Sequence, residues 1–385
     1  MSFLTVSLVK QDTKVNYSNN NTVVTKPQQS NLSQNINNFS KETNAFYSYF
    51  LGGQNVSFNG GISSFRIKKL EDVPCPCCGQ IMLTQNSIPK HVNRLNKAKG
   101  DKLADRIINE EQPYLRSNER ACAMMVAKEV KGTDLNLSAG MKKVAENLPK
   151  NFISHCCDTI MDAIVVCDEQ LGENSEIASF LWNKAENLTS EKEYYRPTLT
   201  EELSKFKSSI SEEKYHKIED AVMKLPLDFE TVEKIFDATK NGNPTAIATK
   251  LYSPSLATAE HVLPHSLGGE NKPSNFLSEC AGCNNPRSSK PYTEWIKVHP
   301  EFLRNPQIYI EHVENRIING ELPESYDSYP VDIKKTLTKE SNGHIKLTVL
   351  DKAKLAELRA AKKAGQEVNI QAETEKAKEQ EENNN

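Results

Sequence analysis

Apolar residues recur at spacings of three and four over most of the stretch from 87 to 240, which predicts a run of amphipathic helices. Residues 176–188 are the clearest example: Ile177, Phe180, Leu181, Ala185 and Leu188 share one flank, while Ser179, Asn183 and Glu186 lie opposite. Ser175 precedes them as a candidate N-cap. Residues 119–130, 201–210 and 212–225 carry the same period. The Asn-Gly-Asn-Pro run at 241–244 interrupts it and predicts the end of the helical region. Further on, Ser289 caps a predicted short helix through Tyr292, Trp295 and Ile296. Residues 306–318 predict another, with Ile310, Val313 and Ile317 on one face and Gly320 past its end. Ile345, Leu347 and Val349 alternate as in a strand, and from 351 the chain reads as a charged helical tail passing into acidic disorder.

Composition changes the picture at the two ends. Residues 11–40 are rich in Asn, Gln, Ser and Thr, too polar to offset the entropy of ordering, and read as a flexible lead-in. The formal charge of −3 sits in the last residues, where five glutamates (373, 375, 379, 381 and 382) face Lys376 and Lys378. The body is therefore neutral, which argues against a general polyanion binder. Only a local basic segment, Lys90, Arg94, Lys97, Lys99 and Lys102 against Asp101, offers a patch for phosphate. No apolar run approaches the roughly 18 residues that a membrane span needs. The first ten residues lack the basic start and long apolar run of a secretory signal. A soluble, cytoplasmic and reducing setting is the expectation.

In such a setting the nine cysteines are thiols, and the C-x-x-C pairs are metal ligands before they are disulfides. The first pair lies in Cys75-Pro-Cys77-Cys78-Gly79, where the glycine permits the tight turn of a zinc knuckle. The second is Cys280 and Cys283. Two pairs and one four-coordinate ion predict a single structural Zn²⁺ held by Cys75, Cys78, Cys280 and Cys283, with Cys77 an alternative to either neighbour. His155, Cys156, Cys157 and Cys167 read as core residues of the helical region, with a second metal site as the alternative.

The second pair closes a stretch from 257 to 290 that contains Glu260-His261, Pro264, Gly268-Gly269, Asn275 and Asn284. Asn275 follows His261 by fourteen positions, Cys280 follows Asn275 by five, and Asn284 follows Cys283 directly. This register resembles the HNH endonuclease family. The resemblance covers about a tenth of the chain, plus the upstream element at Cys75. It implies a ββα-metal nuclease unit stapled by zinc, acting on nucleic acid, DNA before RNA.

Phosphodiester hydrolysis needs an activated water and charge stabilisation at phosphorus. His261 is the candidate general base, because an imidazole titrates near neutral pH. Glu260 and Asn284 offer oxygen ligands to a hard cation, Mg²⁺ or another divalent ion. By the resemblance, Asn275 fixes the turn and so orients the histidine, and Asn284 stands where the family's name has its last histidine. His265 is read as a metal ligand, a phosphate contact or a polar loop residue, and Arg287 and Lys290 as phosphate contacts.

The expected fold class is α+β: a small zinc-stapled ββα unit with a large, mainly helical insert and flexible termini. The expected segments are a lead-in (1–45), the zinc-knuckle half of the unit (46–86), the insert (87–240), the nuclease core with its following helices (241–350) and the tail (351–385). The rival expectation is a non-catalytic, zinc-stapled nucleic-acid-binding or adaptor module.

Overall fold

The computed structural model describes residues 73–173 and 175–383. The lead-in and residues 46–72 of the zinc-knuckle half lie outside the described residues. What is described is mostly helical, with one two-stranded antiparallel sheet, β1 (Ala257–His261) and β2 (Phe276–Cys280). Ala257 pairs with Cys280 and His261 with Phe276. This agrees with an α+β class. No helix among the described residues is long and apolar enough to cross a membrane.

Two apolar cores divide the described chain. The first is built by the helices between Ile88 and Tyr252, where Leu95, Val126, Phe152, Cys156, Leu181, Phe236 and Leu251 are buried. Its long axis is the Leu148–Leu171 helix, which packs on Glu176–Glu186 and Glu212–Val222. Ser175 caps the Glu176–Glu186 helix by accepting from Ala178 N–H at 3.1 Å. Ser211 stands at the same position before Glu212. Cys156 and Cys167 are buried here as core residues.

The turn at 241–244 does not end this region. Asn243 instead caps one more helix, Pro244–Tyr252, accepting from Ala246 N–H at 2.9 Å. That helix lies against Ile88–Asn96 and completes the first core. A turn signal marks a local reversal of the chain, and whether a domain ends there depends on where the next apolar face is buried.

The second core gathers Val73, Cys75 and Met82 from the knuckle, Phe276 and Leu277 from β2, and Tyr292, Trp295, Tyr309, Ile310, Val313 and Leu337 from the helices that follow. The knuckle joins the sheet through main chain: Leu83 N–H donates to Ser255 carbonyl at 2.8 Å, and Ala257 N–H to Leu83 carbonyl at 2.7 Å. The helix of the ββα unit starts earlier than the pattern at 289–296 suggests. Ala281–Arg287 follows β2 directly and packs on both strands, with Tyr292–Val298 as a second short helix. Gly282 and Pro286 inside a seven-residue helix conceal it from propensity.

Residues 344–350 form no strand. Ile345 and Leu347 are buried as their alternation implies, but no strand among the described residues pairs with them. Side chains of the Asn305–Ile318 helix take the main-chain groups instead: Gln307 bonds Thr348 N–H (2.9 Å) and carbonyl (3.0 Å), and Glu314 accepts from Leu350 N–H (2.8 Å). The tail is helical over Lys352–Lys363 and Ile370–Asn383. Lys354 binds Glu373 at 2.8 Å, which extends order into the acidic end.

Glu314 is fully buried and burial pushes its carboxyl up to about 8. Between an ordinary glutamate value of about 4.3 and that value, the folded protein holds a proton that the unfolded chain has released. Stability therefore falls as pH rises across the window, by up to about 1.4 kcal/mol per unit. Glu314→Gln keeps the acceptor for Leu350 and removes the titration. Its melting temperature should match the wild type in mild acid and exceed it in mild alkali; parallel pH dependence in the two proteins would contradict this.

Candidate metal centre and active site

The knuckle is a tight turn in which Cys75 N–H donates to Gln80 carbonyl at 2.8 Å and Gly79 N–H returns to Cys75 carbonyl at 2.9 Å. Gly79 takes φ +71°, a conformation that side chains disfavour. The turn presents two sulfurs to the far end of the sheet. Cys280 ends β2 and Cys283 lies in the first turn of the Ala281–Arg287 helix. The sulfurs of Cys75, Cys78, Cys280 and Cys283 lie within 4.8 Å of one another, so the four can hold a metal such as zinc. Cys78 and Cys280 are 3.8 Å apart, close to the edge of about 3.8 Å that four sulfurs at zinc–thiolate bond length make. Cys77 is buried beside this group.

The helical region supplies counter-charge to the sulfurs. Arg116 donates to Cys283 Sγ at 3.5 Å. Burial works against its charge, yet Cys283, Cys280 and Cys78 more than offset this and hold it above its ordinary range. Arg120 and Arg196 stand nearby, bonded to Gln80 Oε1 (2.9 Å) and to the carbonyls of Leu115, Met223 and Leu225. None of the three forms a salt bridge with a carboxylate among the described residues. Four thiolates around a divalent ion carry a net charge of about −2, which answers them. Gly282 makes the approach possible, since a Cβ there would run into the Arg116 guanidinium.

At the other end of the sheet, the loop between the strands is tied by one side chain. Asn275 accepts from Leu263 N–H at 2.8 Å and donates to the carbonyls of Leu263 and Glu270, both at 3.0 Å. Gly268 turns the chain with φ +92°, and Gly269 leaves no room for a Cβ against the Leu263 carbonyl. His261 stands where β1 enters this loop. Its ring packs on Phe276 with centroids 4.4 Å apart, and Nε2 lies 2.8 Å from Asn271 Oδ1. An amide oxygen only accepts, so this contact puts the proton on Nε2 and leaves Nδ1 basic. Burial lowers the His261 pKa; Asn271 opposes this, while His265 and Arg287 add to it. His265 is exposed on a short turn, its ring centroid 6.1 Å from that of His261.

Glu260 and Arg287 do not stand open to solvent. Arg287, expected to meet phosphate, is completely buried: it pairs with Glu260, donates to the His261 carbonyl and stacks over Tyr292 at 4.2 Å. It is the counter-ion of the strand. Burial pushes the Glu260 carboxyl up to about 7 against the opposing pull of Arg287. Asn284 donates to Thr258 Oγ1 at 2.9 Å. Thr258 and Glu260 share one face of β1, and Asn284 and Arg287 one face of the helix, so helix and strand meet through these four. A hard cation at Glu260 would have to displace a buried guanidinium, so the Glu260–Asn284 donor set does not fit an open Mg²⁺ site in this conformation. Lys290 is exposed, with Nζ 5.6 Å from the Trp295 ring centroid.

Three participants escaped the sequence reading. Asn271 lies inside the motif and was within reach of it. Arg116 lies 167 residues from Cys283, and nothing in its own neighbourhood marks it. Glu279, on β2 and completely buried beside Cys77 and Cys283, looks in the sequence like an ordinary strand residue. Comparison with family models, with curated proteins and with solved structures found no match.

Cys280→Ser should lose both bound zinc and thermal stability, since it removes a ligand shared between distant parts of the chain. Gly282→Ala should weaken zinc retention against a chelator by displacing Arg116, although it changes no ligand. Wild-type retention in Gly282→Ala would show that the arginine has no hold on the metal.

Proposed function

We propose that the chain is a phosphodiester hydrolase of the HNH type acting on DNA. The observation that carries this reading is the hairpin and helix from Ala257 to Arg287, which set His261 at the mouth of a loop braced by Asn275 while the cysteine centre anchors the opposite end. Position and protonation suit a general base: the ring is half-buried, Nε2 is occupied by Asn271, and Nδ1 is left to take a proton from water. Lys90, Lys97, Lys99 and Lys102 are exposed on and after the Ile88–Asn96 helix and offer charge to a phosphate backbone. Arg94 is committed to Glu111 at 3.1 Å. The resemblance implies Mg²⁺ or another divalent ion. Glu260 is not free to hold such an ion while it is paired with Arg287.

That same ion pair favours a second reading, a zinc-stapled module that binds nucleic acid without cutting it. Incubation with plasmid DNA and with RNA, in Mg²⁺, Mn²⁺ or chelator, separates the two. Cleavage of DNA that falls about 10²- to 10⁴-fold in His261→Ala, with zinc content unchanged, is the expected result. Binding without turnover in any metal would favour the second reading.

The depressed His261 pKa also sets a pH dependence. The base works only when neutral, so the acid limb of the rate profile should fall below the ordinary imidazole value of about 6.5. An acid limb above that value would point to another group as the base.

A further inference from the structure

We propose that the cysteine centre is binuclear, with a second zinc-class ion held by Cys77, Glu279 and Cys283 and with Cys283 shared between the two ions. Three ligand atoms of these residues lie within 4.8 Å of one another, and all three residues are buried. An independent observation points to the same place. Glu279 is completely buried on β2, and neither carboxylate oxygen has a hydrogen-bond partner among the described residues. A bare carboxylate removed from water is costly unless a proton, a cation or hydrogen bonds answer it. Arg287 and Arg116 are the cations whose charge reaches Glu279. The terminal nitrogens of Arg287 are given to Glu260 and to carbonyl oxygens, and although its Nε–H has no partner, neither it nor any other donor bonds Glu279 among the described residues.

Cys77 also lies within reach of His299 and Glu301. Those two are bonded to each other at 3.0 Å and partly exposed, so the unmet demand is at Glu279. Thiolate and carboxylate together suit a borderline ion such as zinc. A divalent ion with the Cys77 thiolate and the Glu279 carboxylate adds no net charge, so Arg116, Arg120 and Arg196 balance the centre equally well with one ion or two. The site gives a role to the cysteine that the C-P-C-C run leaves over.

The proposal rests on the four-cysteine centre and is independent of any cleavage activity. Elemental analysis of the purified full chain should find about two zinc ions per molecule, falling to about one in Cys77→Ser and in Glu279→Gln. One zinc in the wild type, or two in both variants, would overturn it. Should a variant fold poorly, Co²⁺ titration of metal-stripped wild-type protein decides the matter: thiolate-to-cobalt absorption should rise to about two equivalents, and an end point at one excludes the second site. No bound zinc at all would refute the four-cysteine centre itself, which distinguishes the two failures.

Discussion

The contact on which the structure depends joins the knuckle to the end of β2, because it brings together sulfurs 202 residues apart in the chain. Closing a flexible loop of that length costs about 5 kcal/mol in chain entropy by the logarithmic rule, whereas a structural zinc supplies about 10–16 kcal/mol. A zinc ion bound by the four cysteines would outweigh that cost by a wide margin. The helical region between the pairs lowers the cost further, since it folds around its own core and returns its ends through the Ile88–Asn96 and Pro244–Tyr252 helices, which lie side by side. A small sheet of two five-residue strands is marginal alone. Stapling it to the knuckle lets it serve as a platform.

Charge is distributed along that platform in two separate compensations. At the cysteine end, arginines from the helical region stand against thiolates; at the other end, Arg287 stands against Glu260. The first would couple a metal held by the cysteines to the helical region, so that its loss would leave half-buried cations unanswered and be felt in both cores. The second couples the sheet to its helix, and it restrains the carboxylate that a hard cation would need. The His261 ring packs on the Asn271 and Phe276 side of the loop, and Arg287 reaches this residue through its carbonyl and by lowering its pKa.

Much of this was legible in the chain where chemistry is local. A helix cap such as Ser175, the turn glycines and the two C-x-x-C pairs each show themselves through neighbouring residues, and the pairing of distant cysteines follows from the coordination number of zinc. Features set by tertiary neighbours were not legible. Ile345, Leu347 and Val349 alternate like a strand, but the main chain there is met by Gln307 and Glu314 from a helix. The helical region runs one helix past the Asn-Gly-Asn-Pro turn because Pro244 begins a helix as readily as it breaks one. Arg287 looked like a surface cation, since three residues after Asn284 on a helix says nothing of which side is covered.

The most direct test of the account is X-ray absorption at the zinc edge of the purified full-length chain. A first shell dominated by sulfur near about 2.3 Å is predicted, because four cysteines from two distant pairs are held to supply it. A shell of nitrogen and oxygen alone, near about 2.0 Å, would contradict the staple and with it the placement of the sheet.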